Sequence, residues 1–118
     1  MKYAVPLDNK DNKDEWDSIV GQHFGHVPYF AIWDDETDTL DIIDNRSDHK
    51  GGVGLPMEFL ADKCDVVLLK AAGARAVTLG AQLGLHVYMG ANGSLKDTIS
   101  FFKEGKLHKA TQDDGCKH

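Results

Sequence analysis

Arginine is scarce in this chain: Arg46 and Arg75 are the only two among 118 residues, and 13 Lys and Arg stand against 19 Asp and Glu, a formal charge of −6. A protein that grips a phosphate backbone needs clustered cations, and none cluster here, so nucleic acid is not an expected partner. Cysteine is also scarce. Cys64 and Cys116 are too few and too far apart for a disulfide framework. The opening Met1-Lys2-Tyr3-Ala4-Val5-Pro6 lacks the apolar stretch of a secretory signal, and the two features together point to a reducing, cytoplasmic compartment. No apolar run approaches the roughly 18 residues of a membrane span, so no membrane partner is expected either. Also missing are internal repeats, linkers, a Gly-x-Ser-x-Gly elbow and the lysine-serine ending of a nucleotide loop.

What is present suits one α/β domain, since the length supports a single core. Tyr3 to Pro6 reads as a strand, ended by the polar stretch from Asp8 to Glu15. Tyr29 to Trp33 and Leu40 to Ile43, separated by the acidic turn Asp34 to Asp38, read as a β-hairpin. Asn45 to Gly54 reads as a loop, and Pro56 suits the first turn of a helix whose buried face is Val53, Met57, Leu60 and Ala61. Asp65 to Leu69 is apolar without alternation, as in a strand covered on both faces.

A second helix is expected over Gly73 to Leu83, with Val77, Leu79, Ala81 and Leu83 as its apolar positions and Gly84 as its end. Leu85 to Met89 is the next strand. Ser94 and Asp97 have capping-box spacing before a third helix marked by Leu95, Ile99 and Phe102 and stopped by Gly105. The order β-β-β-α-β-α-β-α predicts a mixed sheet with helices on its faces. Residues 1–105 are expected to form the domain and residues 106–118 a polar tail.

Several residues could carry chemistry. His23 and His26, three residues apart beside Gly25, could face one metal if the loop curls, or simply hydrogen-bond the backbone of a turn. Cys116 and His118 offer a soft thiolate and an imidazole at the tail; a terminus with no role is the alternative. Cys64, directly before a buried strand, reads as packing. His49 lies in the loop Ser47 to Gly54, where Gly51 and Gly52 precede a helix start whose amides attract anions. Gly73 and Arg75 open a helix at the carboxyl end of a buried strand, where open α/β sheets commonly bind ligands. Arg75 is equally compatible with a place on the helix surface.

The opening six residues, His23-Phe24-Gly25 leading into Pro28-Tyr29-Phe30, Gly51-Gly52, Ala61 to Val67, Gly73-Ala74-Arg75-Ala76 and Gly84 to Tyr88 together resemble the dinitrogenase iron-molybdenum cofactor biosynthesis family, over about residues 1 to 105. That family includes NifX-type and NafY-type domains, the C-terminal part of NifB proteins, and the orange protein with its molybdenum-copper sulfide cluster. The resemblance implies a ribonuclease H-like three-layer fold: a five-stranded mixed sheet with one antiparallel strand and about three helices. It also implies binding of a preformed metal-sulfur cluster (iron-sulfur, iron-molybdenum or molybdenum-copper), with His23 as leading ligand and cluster-assembly or acceptor proteins as partners. In one departure, Ala71 or Ala72 stands where members often carry glycine.

Three functions compete. A cluster carrier would use His23, with His26, His49, Cys116 and His118 as helpers and the amides of the glycine loops, together with Phe24 and Arg75, around the cluster. A two-metal nuclease would need converging carboxylates, yet the acidic residues fall in polar loops. A regulatory or scaffolding module would bind an anionic small molecule or a partner protein and hold no metal.

Overall fold

The computed structural model describes residues 1–10, 13–21, 27–45, 56–70 and 74–110. The strands are β1 (Lys2–Leu7), β2 (Tyr29–Asp34), β3 (Thr39–Asp44), β4 (Val66–Leu69), β5 (His86–Met89) and β6 (His108–Lys109). Three α-helices accompany them among the described residues: α1 (Pro56–Leu60), α2 (Ala74–Gln82) and α3 (Leu95–Lys103). The strands form one mixed sheet in the order β3-β2-β1-β4-β5-β6.

The sheet is built outward from β1, whose residues from Tyr3 to Leu7 are all buried. β1 pairs antiparallel with β2 and parallel with β4, and β4 pairs parallel with β5. All four residues of β4 are buried, the reason its sequence is apolar without alternation. One face of the sheet packs Tyr3, Val5, Leu7, Ala31, Trp33, Val66 and Leu68 against Leu95 and Ile99 of α3. The other packs Ala4, Phe30, Val67, Leu69 and Val87 against Met57 and Leu60 of α1 and Val77 of α2. The result is three layers.

The expected hairpin is present as β2 and β3. Its turn places Asp38 at φ +52°, a conformation that aspartate tolerates better than most residues, and the Trp33 indole N–H donates to its carboxylate at 3.0 Å. The expected capping box is also present: the Asp97 N–H donates to Ser94 Oγ at 3.1 Å, with the reciprocal bond from the Ser94 N–H.

One expectation is corrected. Among the described residues the sheet has six strands, not five, and β6 joins β2 as a second strand running against the other four. β6 comes from residues whose polarity suggested a tail. Both of its side chains are exposed; backbone pairing with β5 and the burial of Leu107 and Ala110 on either side create it. The apolar positions of α2 do not share one face, because a spacing of two rotates around a helix. Val77 is buried and Leu79 half-buried, whereas Ala81 and Leu83 are exposed. The buried partner of Val77 is Gly80, where a Cβ would lie 2.8 Å from Val87 Cγ2, so the glycine lets α2 approach β5 closely.

Candidate functional site

Parallel strands all end on one edge of a sheet, and here that edge gathers most of the long connections. β1, β4 and β5 end at Leu7, Leu69 and Met89. The register Leu7↔Tyr29↔Asp44 puts the start of β2 and the end of β3 on the same edge. The chain therefore leaves or joins the sheet there at Leu7, Tyr29, Asp44, Leu69 and Met89.

Backbone hydrogen bonds tie this edge together. Residues 18–21 form a strap: the Gly21 N–H donates to Pro6 O at 2.8 Å and the Asp8 N–H to Ile19 O at 2.9 Å. On its other side the Val20 N–H donates to Gly93 O at 2.9 Å and the Leu95 N–H to Ser18 O at 2.8 Å, which links β1 to the start of α3. The Asn9 carboxamide accepts from the Ile19 N–H at 2.8 Å. Gly21 is where the strap meets the chain entering β2, because any Cβ there would overlap Val27 Cγ1. On the far side of the entry to β2, the Asn45 N–H donates to Pro28 O at 2.9 Å and its Nδ2 to Val27 O at 2.8 Å.

His23, Phe24, Gly25 and His26 lie outside the described residues, between Gly21 and Val27. His49, Gly51 and Gly52 lie outside them too, between Asn45 and Pro56, as does Gly73, between Lys70 and Ala74. All three intervals begin on the shared edge. Arg75 is the second residue of α2, and its side chain is outside the description. Cys116 and His118 follow Ala110, the last described residue. There the chain runs antiparallel to β5, with the Ala110 N–H donating to Val87 O at 2.7 Å, so it is heading away from the edge where β5 ends.

Cys64 behaves as packing. It precedes β4 at the opposite end of the sheet, is 8% exposed, and its thiol donates to Leu60 O at 3.4 Å. Burial pushes the thiol up to about 12, so it stays protonated in neutral solution. Among the described residues no three His, Cys, Asp or Glu side chains stand close enough to hold a metal ion. No described helix is long and apolar enough to cross a membrane.

The family model described as dinitrogenase iron-molybdenum cofactor matches residues 1–105. The chain belongs to that family. An uncharacterized protein of Methanocaldococcus jannaschii is 30% identical over 115 residues, covering 92% of this chain and 91% of its own. Among solved structures, a Thermotoga protein proposed to be a NifB protein is 25% identical with a TM-score of 0.74, the match covering 92% of this chain and 91% of that one. The apo form of the orange protein from Desulfovibrio gigas is 21% identical with a TM-score of 0.77 and 92% of each chain covered, a likeness of fold.

Within this family member, the structural residues that sequence reading missed at the edge are Gly21 and Asn45. Gly21 carried no signal beyond being a glycine near a histidine. Asn45 was legible only as the first residue of an expected loop, and its bonds to Val27 and Pro28 depend on how β2 and β3 pair.

Proposed function

We propose that this protein binds a preformed metal-sulfur cluster as cargo, of iron-sulfur, iron-molybdenum or molybdenum-copper sulfide type, and holds it or passes it to an assembly or acceptor protein. In this reading it is a cytoplasmic carrier on a ribonuclease H-like frame, not a catalyst. His23 is the leading ligand, with His26 and His49 as helpers and Cys116 and His118 as donors from the tail. Amides of the Phe24-Gly25, Gly51-Gly52 and Gly73 segments would donate to cluster sulfides, and Arg75 would offset the anionic charge.

The observation that carries this reading is that three of the segments bearing these residues, all but the tail, begin on one edge of the sheet, in a chain of the dinitrogenase iron-molybdenum cofactor family. The donor set fits the cargo chemically: imidazoles and a thiolate suit soft transition metals, and amide N–H groups stabilise sulfide charge without competing for metal. Open α/β sheets bind ligands outside the carboxyl ends of their strands because loops there can converge without disturbing the core.

Anaerobic reconstitution with iron and sulfide, and separately with tetrathiomolybdate with and without copper, tests it. The expected result is stoichiometric metal and visible colour in the wild type, lost in His23→Ala and reduced in Cys116→Ala. No retained metal under any of these conditions would overturn the carrier reading and leave a module for an anionic small molecule or a partner protein.

A further inference from the structure

The chain enters β2 through Val27 and Pro28, and two consecutive carbonyls at this entry are taken by one residue. The Asn45 backbone N–H reaches Pro28 O at 2.9 Å, extending the β2–β3 ladder one step beyond Asp44. Its Nδ2 then reaches Val27 O at 2.8 Å. Pro28 has no N–H, so its contribution to a ladder here is limited to accepting, and only a donor on the opposite chain can hold the entry in place. The partner atom is a carbonyl, which also determines that the nitrogen of the Asn45 carboxamide faces it. Val27 is 3% exposed and packed in the core beside Phe30, so its position is set from one side by packing and from the other by Asn45.

Residues 22–26 lead directly into Val27, and residues 46–55 lead directly out of Asn45. From this we infer that Asn45 is a positioning residue: it fastens the residue at which the first segment ends to the residue from which the second departs, so that the two segments meet the frame at a set separation. The inference rests on the cluster-carrier reading for what the two segments bind. The fastening itself does not depend on it. The chemistry required is a donor of this length: aspartate has the same shape but only accepts, and would set a carboxylate against the Val27 carbonyl.

The first test needs no ligand. Hydrogen exchange on the full chain is measured for wild type, Asn45→Asp and Asn45→Ala. Losing one part-buried hydrogen bond should speed exchange about fivefold at residues 27, 29, 30 and 43–45 in both variants, with β4 and β5 unchanged. Unchanged exchange at those residues, or an equal rise in β4 and β5, would overturn the inference. The second test uses protein reconstituted with tetrathiomolybdate and copper. Asn45→Asp should retain the cluster about tenfold more weakly, with a shifted visible spectrum at saturation that a mere loss of stability would not produce. A wild-type spectrum and retention in the variant would overturn it. If the wild type itself retains no metal, the carrier reading falls, and the exchange result alone decides the role of Asn45.

Discussion

The two ends of the sheet are closed in different ways. At the end where β4 and β5 begin, short local connections do the work. The Lys2 N–H donates to the Asp65 carboxylate at 2.9 Å, the Asp65 N–H returns to Lys2 O at 2.8 Å, and the His86 N–H donates to Asp65 O at 3.0 Å. One residue thus joins the starts of three strands, with the buried Cys64 beside it. At the end where β1, β4 and β5 finish, the bonds run instead through a strap at residues 18–21 and through Asn45, which brace the bases of long connections. The first end is closed by short turns and the second carries the long connections, a division expected when function sits on loops held by a rigid frame.

Substitutions can break this contrast. The largest effect is expected from Gly21→Ala, whose new methyl would overlap Val27 where the strap meets the entry to β2. Overpacking of this kind should cost about 3 kcal/mol in chemical denaturation and weaken any bound cluster as well. An effect on stability without one on binding would show that the strap does not position the site.

The next effect is one of pH, at the other end. Burial raises the Cys64 thiol from its ordinary value of 9.0 to about 12. Between those values the unfolded chain releases a proton that the folded chain keeps, so this contribution to stability is intact below pH 9 and is lost as pH rises toward 12. The loss should reach about 1.4 kcal/mol near pH 10. Denaturation of wild type and Cys64→Ala at pH 8 and pH 10 measures it, and a loss of the same size in both would assign it to other groups. The same burial should keep Cys64 unalkylated by iodoacetamide until the protein unfolds. The smallest effect is expected from Asp65→Ala, about 1 kcal/mol for an exposed hydrogen bond, with cluster retention unchanged. A change in retention would mean that the two ends are coupled.

Much of the fold was legible because its signals are local. A run of four apolar residues between polar ones is short for a helix and fits a strand buried on both faces, and Val66 to Leu69 is that strand. Ser94 and Asp97 are three residues apart because a helix start requires it, and the box is formed. The helix stops at Gly84 and Gly105 were read from composition, and both glycines adopt positive φ, at +79° and +76°. Where the controlling contact was distant, the reading failed. β6 has no side-chain pattern of its own and exists because β5 offers an unpaired edge. In α2 a glycine, apolar by omission, takes the place against β5 where a larger residue would be sought.

The candidate site divides along the same line. Residue type and order by themselves determined the family, the acidic balance and which side chains have metal-binding chemistry, since these depend on composition and on spacings within a few residues. Only the tertiary structure decided that the segments carrying His23, the Gly51-Gly52 pair and Gly73 begin on one edge, that Cys64 lies at the other, and that Asn45 bonds to Val27 and Pro28. The physical reason is that strand direction and register relate residues tens of positions apart through backbone hydrogen bonds, which every residue but proline can make and which therefore leave little trace in the sequence.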